Sequence, residues 1–187
     1  RVSLELKTVG YSLTSFKELG LNFDTDRVTD LCGKVERSEE SVAALVVVEH
    51  IVKNDMTIIQ DETCMDLGRL ILCPIIETLF SGHACATDEW KLFGINRYKV
   101  GGKFGPHRDD VGATVLVVTL SGEREFDIYE TEAGSTQFTQ VESSFLLDPG
   151  SIMILDAEKD PGHAVSNTIS PSIVAVADVP LPTLLRN

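Results

Sequence analysis

The apolar positions of this chain change rhythm near its middle. Up to about Phe80 helical and apolar stretches alternate, whereas from Trp90 onward short β-branched runs are cut at brief intervals by Gly, Pro and Asp. The change falls at SGHACATDE, a small and polar segment. In the first half, VSLELKT alternates as a strand does, and TSFKELG predicts a short helix opened by Ser or Thr and closed by Gly20. The stretch 24–35 predicts a second helix. VAALVVVEHIV is dense in β-branched residues and is followed by KND and MTIIQ, which predicts a hairpin turning at KND. CMDLGRLILCPIIETLF has helical periodicity and predicts a helix over 63–80, kinked at Pro74, that buttresses a sheet.

The second half predicts strands over 90–98, 114–120, 124–129, 136–141, 145–147, 151–155, 164–167 and 172–179. Ser121-Gly122, Ala133-Gly134 and Asp148-Pro149-Gly150 supply the reversals between several of them. Eight short strands at such spacing predict an antiparallel jelly roll or barrel. With no internal repeat and no low-complexity segment, the expectation is one α+β domain spanning 1–187. Residues 1–89 form its helical or mixed support, and residues 90–179 its jelly-roll core.

Length and composition agree with this. The 187 residues suit one core, and the 43% hydrophobic content is ordinary for a globular fold. A formal charge of −13 repels phosphate backbones and anionic lipid, so nucleic acid and membrane surfaces are not expected partners. Lys91, Arg97, Lys99, Lys103 and Arg108 form a local basic cluster that leaves an anionic small molecule open. Cys32, Cys64, Cys73 and Cys85 show neither a CxxC pair nor the spacing of a disulfide framework, and reduced thiols are expected. No apolar run reaches the ~20 residues that span a bilayer, and no signal-peptide pattern is present. A soluble, cytoplasmic protein is the expectation.

The candidate chemistry lies in two places, NRYKVGGKFGPHRDD and DPGHAVSN. His107 and Asp109 are two apart, and in an extended strand such residues project to one side. His163 opens a later β run 163 − 109 = 54 positions beyond the acid, enough chain to travel round a small barrel and return. Two imidazoles and a carboxylate converging in this way make a facial triad with open positions, the ligand set of non-haem Fe(II) oxygenases. Asp110 competes with Asp109 for the acid's place. His50 and His83 lack a carboxylate at strand spacing and are read as structural.

The run NRY-x-x-G-x-x-x-x-x-H-x-D, followed by ATVLVVTLSGEREF, LLDPGSIMILDA and HAVSN, resembles the iron- and 2-oxoglutarate-dependent dioxygenases. NRY is similar to AlkB-type demethylases, and YKVGGKFGPHRDD with ATVLVVTLS to prolyl-hydroxylase-type members. The resemblance covers roughly residues 90–179. It implies a double-stranded β-helix holding one Fe(II) through His107, Asp109 and His163, with Asn96 and Tyr98 hydrogen-bonding the cosubstrate 2-oxoglutarate. It also implies oxidation of a small-molecule, amino-acid or peptide substrate coupled to cosubstrate decarboxylation, with no catalytic side chain beyond the metal ligands.

One departure stands out. The family usually places an Arg or Lys about ten or more residues beyond the distal histidine to pair with the far carboxylate of 2-oxoglutarate, and NTISPSIVAVADV contains no cation. Arg124, at the start of an early barrel strand, is one candidate replacement. Lys99, Lys103 and Arg186 are others, and the hydroxyls of Thr119, Ser170 or Ser172 could share the load. The same gap keeps two alternatives open: an Fe(II) oxygenase or oxidase that does without 2-oxoglutarate, and a non-catalytic jelly-roll binding module. The loops at 36–62 and 82–89 are the expected substrate-facing rim.

Overall fold

The computed structural model describes residues 2–37, 53–59, 62–79, 92–109, 114–130, 137–156, 158–159 and 161–179. In chain order the elements are α1 (Val2–Val9), β1 (Tyr11–Ser15), α2 (Thr25–Arg37), β2 (Lys53–Ile59), α3 (Glu62–Leu79), β3 (Leu92–His107), β4 (Thr114–Ser121), β5 (Arg124–Glu130), β6 (Gln140–Leu147), β7 (Ser151–Leu155), β8 (Gly162–Thr168) and β9 (Ser172–Val179). All the strands join one curled antiparallel sheet in the order β1-β7-β4-β9-β3-β8-β5-β6, with β2 added on β3. This is the jelly-roll body with buttressing helices that the sequence predicts.

Strand alternation divides the core into two layers. Ile95, Leu116, Val118, Leu120, Ile152, Ile154, Ile173, Ala175 and Ala177 face outward, where Val28 and Cys32 of α2 and Ile71, Leu72, Ile75 and Ile76 of α3 cover them. Their strand neighbours Tyr98, Val115, Val117, Met153, Leu155 and Val174 face the barrel interior, where they meet Phe126, Ile128, Leu147 and Val165. Strands buried on both faces lose the polar alternation of a half-exposed sheet, which explains why TVLVVTL and SIMIL read as continuous apolar runs. Helix α2 starts where predicted, because the Asp24 carboxylate accepts the Arg27 N–H at 3.0 Å as an N-cap.

The long strand β3 makes the curl. Its first part, Leu92 to Tyr98, pairs with β9, and its last part, Phe104 to His107, pairs with β8. Between them lies Gly101 with φ 75°, a conformation that costs glycine little and lets one strand pass from one half of the sheet to the other. The sequence predicts a strand ending at Tyr98 and a glycine-rich loop; the glycines bend the strand without ending it.

Five other expectations are corrected. VSLELKT is helix α1, because β1 takes the sheet edge beside β7 and leaves this segment outside the ladder; alternation over so few residues does not separate the two states. TSFKELG begins in β1 and then makes only a turn: Ser15 Oγ accepts the Glu18 N–H at 3.2 Å as a cap would, but the Leu21 N–H returns to the Phe16 carbonyl at 2.8 Å and closes the turn. KND opens β2 and is not a turn, while the first arm of the predicted hairpin lies outside the described residues. The two strands predicted over 136–147 are one strand, β6, kept in register by an irregularity opposite Ile128 and Tyr129. Cys32 is a buried thiol, but Cys73 is disulfide-bonded, contrary to the expectation of reduced cysteines throughout. Among the described residues no helix is long and apolar enough to cross a membrane.

Ser121-Gly122 turns β4 into β5 as predicted. Gly122 has φ 70°, and a Cβ there would stand 2.0 Å from the Pro171 carbonyl oxygen. Gly122→Ala combines left-handed strain with a backbone clash, so a loss of about 2 kcal/mol or more is expected in urea unfolding.

Candidate metal centre

Register brings the two histidines together. His107 near the end of β3 is the direct partner of His163 in β8, so their side chains leave neighbouring positions on one face of the sheet. Asp109 follows two residues after His107. One ligand atom from each of His107, Asp109 and His163 lies within 4.8 Å of the others. His107 Nε2 is 3.6 Å from one carboxylate oxygen of Asp109, and His163 Nε2 is 3.4 Å from the other. Both imidazoles are buried, at 7% and 4% exposure, while Asp109 is partly open.

The far nitrogen of each ring fixes which nitrogen faces the site. His107 Nδ1 lies 2.8 Å from the Gly105 carbonyl oxygen and His163 Nδ1 lies 3.0 Å from that of Pro161. With Nδ1–H donated to a carbonyl, Nε2 carries the lone pair and points at the cluster, the arrangement a metal-ligating histidine needs. The same local device serves both rings: a carbonyl two residues upstream, across Gly105-Pro106-His107 and Pro161-Gly162-His163. That shared Gly/Pro spacing is legible in the sequence once its purpose is known. Burial holds His163 down at about 4, so its imidazole is neutral at pH 7. Burial raises Asp109, against the opposing pull of His107.

The cluster opens onto a small cavity whose walls include Val115, Val117, Val165, Val174 and Val176. Asn96, Tyr98 and Arg124 line the same cavity. Arg124 is fully buried. Its Nη1–H donates to Thr119 Oγ1 at 2.9 Å, while Nε and Nη2 find no partner. Burial lowers Arg124 to about 10, and the nearby Tyr98 opposes that shift, so the guanidinium stays charged at neutral pH. Burial raises Tyr98 to about 12 against the pull of Arg124, and the Asn96 side chain hydrogen-bonds to it. The phenol is therefore a neutral donor.

All six sequence-selected site residues thus line one cavity. The other proposed cations do not join them: Lys99 and Lys103 are exposed, and Arg186 lies outside the described residues. Of the hydroxyls, Thr119 bonds Arg124, whereas Ser170 accepts the Glu123 N–H at 2.9 Å and Ser172 donates to the Ser121 carbonyl at 2.9 Å. Asp110, His50, His83 and most of the expected rim lie outside the described residues; of the rim, 53–59 form β2. Sequence reasoning missed Phe104 and Phe126, which stack on the two imidazoles.

No protein-family model matches the sequence, and no curated protein matches it. Solved structures do match in shape. A prolyl hydroxylase from Trichoplax adhaerens, in complex with a peptide fragment of the hypoxia-inducible factor oxygen degradation domain, superposes at a TM-score of 0.63. It shares 13% identity, over 96% of this chain and 87% of the other. A prolyl-4-hydroxylase from Pseudomonas putida gives a TM-score of 0.57 at 16% identity, over 95% of each chain. An oxidoreductase of the 2OG-Fe(II) oxygenase family from Burkholderia pseudomallei gives 0.56 at 16% identity, over 95% of this chain and 87% of that one. At these identities what is shared is the architecture: the chain has the double-stranded β-helix fold of the iron- and 2-oxoglutarate-dependent oxygenases.

Proposed function

We propose that this chain is an Fe(II)- and 2-oxoglutarate-dependent oxygenase acting on a small molecule or on an amino-acid or peptide side chain. One observation carries the reading: a fully buried guanidinium with two unpartnered nitrogens, Nε and Nη2, lines the same cavity as a two-histidine, one-carboxylate cluster. Buried polar groups are nearly always satisfied, and a charged one left half-satisfied is costly. A dicarboxylate that reaches from the cluster to Arg124 supplies the missing acceptors.

In this reading His107 Nε2, Asp109 and His163 Nε2 hold the iron, and Arg124 pairs with the far carboxylate of 2-oxoglutarate beside the Tyr98 phenol. Asn96 orients Tyr98 through their hydrogen bond. Iron and 2-oxoglutarate together supply oxygen activation coupled to decarboxylation of the cosubstrate. The valine walls exclude water around the ion pair, which strengthens it. Arg124 also answers the absence of a cation after the distal histidine, which was the main support for an oxygenase that does without 2-oxoglutarate. Peptide substrates stay in view because the Trichoplax adhaerens enzyme is in complex with a peptide.

Anaerobic titration with Fe(II) and then 2-oxoglutarate tests the proposal. A weak visible charge-transfer band on adding 2-oxoglutarate is expected, followed in air by succinate formation that needs 2-oxoglutarate. Iron binding without that band favours the oxygenase that does not use 2-oxoglutarate, and failure to retain iron favours the non-catalytic module.

A further inference from the structure

We propose that Phe104 and Phe126 are positioning residues of the metal centre, each fixing the plane of one ligating imidazole by face-to-face contact. The Phe104 and His107 rings lie 4.0 Å apart at 21°, and those of Phe126 and His163 lie 5.4 Å apart at 15°. The two imidazoles are themselves 4.3 Å apart at 56°, so four rings run in a row Phe104–His107–His163–Phe126. Each histidine's bond from Nδ1 to a carbonyl holds one corner of its ring but leaves the ring free to tilt about that bond. The Nε2 lone pair lies in the ring plane, so tilting carries it off the metal. A flat apolar face against the imidazole removes that freedom.

The backbone is arranged to make both contacts. Phe104 and His107 are three apart and would face opposite sides of a regular strand; the register shift that separates them on β3 brings them to one side. Phe126 pairs with Val165, which sets it diagonally across from His163, two residues earlier in β8. Both phenylalanines line the cavity, Phe126 buried and Phe104 partly so.

This inference rests on the proposed metal centre, and its test separates the two. Metal-free protein is titrated with Co(II), following affinity and the visible ligand-field bands. Phe104→Leu keeps apolar bulk without a flat face, and binding about 2- to 13-fold weaker is expected, the range that loss of an aromatic contact of ~0.5–1.5 kcal/mol produces. The bands should change with it, while the unfolding midpoint of the metal-free protein stays close to that of the parent. Phe104→Tyr keeps the face and should restore both affinity and bands. Phe126→Leu should act in the same direction and more weakly, given its longer contact; because Phe126 is a core residue, Phe104→Leu decides the matter if Phe126→Leu does not fold. If the parent binds Co(II) and Phe104→Leu matches it in affinity and bands, the inference is overturned and the metal centre stands. If the parent takes no Co(II), the metal centre falls and the inference with it.

Discussion

Arg124→Met is expected to weaken 2-oxoglutarate binding by about 10²–10³-fold while leaving the metal-free protein as stable as the parent or more so. The two effects have opposite signs because Arg124 is costly to the fold by itself. Its guanidinium is fully buried, has one hydroxyl acceptor in Thr119, and leaves Nε and Nη2 without partners. Replacing a buried, poorly compensated charge by an apolar side chain of similar length is often neutral, or stabilising by about 1–4 kcal/mol. For a ligand carboxylate the account reverses: losing the cation strands an anion in a valine-walled cavity, a cost of about 2–5 kcal/mol. A purely structural arginine would behave otherwise, with stability lost and ligand binding unchanged. Arg124→Lys should restore binding only in part, since one ammonium keeps the charge but not the paired N–H edge that Nε and Nη2 present. Urea unfolding of the metal-free variants and calorimetric titration of the metal-loaded ones, with 2-oxoglutarate as titrant, measure the two signs separately.

The sequence showed the body of the fold where each strand is a short apolar run bounded by turn residues. The runs 151–155 and 172–179 match β7 and β9 residue for residue, because Asp148-Pro149-Gly150 and the helix-covered outer layer constrain them locally. The front half was harder to read, since its elements are defined by where they dock. Val2–Val9 is helical because β1 occupies the edge beside β7, and nothing within eight residues records that. The triad was legible from the His-x-Asp spacing, although β3 ends at His107 and Asp109 reaches the cluster from just beyond the strand, while the return of His163 needed only an approximate strand count. Arg124 was named as one candidate cation among several, and what the sequence could not decide is the choice between them: the sheet order β3-β8-β5 brings Arg124 to Tyr98. Phe104 was hidden for a related reason, because its spacing from His107 signals contact only across a register shift.

His163→Ala, His107→Ala and Asp109→Ala should each reduce metal retention at least about 100-fold and leave the barrel folded. The proposed ligands close the cavity and do not build the layers beneath it: the large outward cluster of Ile, Leu and Val contains none of them. The cost to the metal-free fold is limited to local terms. Removing the His163 ring leaves the Pro161 carbonyl without its 3.0 Å partner and vacates a buried site, worth a few kcal/mol at most. The gain from the same change is smaller than for a charged group, because His163 is neutral at pH 7 and causes little repulsion when no metal is present. Loss of metal is severe for a different reason: the facial triad supplies every protein ligand of the site, and removing one of three leaves a two-point attachment that no longer defines the geometry. Asp109→Asn is the sharpest of the set, since it keeps the shape and removes the only negative charge among the three ligands. Asp110→Ala is the internal control and should retain metal like the parent. Metal content after dialysis, read beside the far-ultraviolet circular dichroism of each variant, decides the point: full retention by Asp109→Ala with loss in Asp110→Ala would shift the acid ligand by one residue, and retention by all the variants would remove the metal centre altogether.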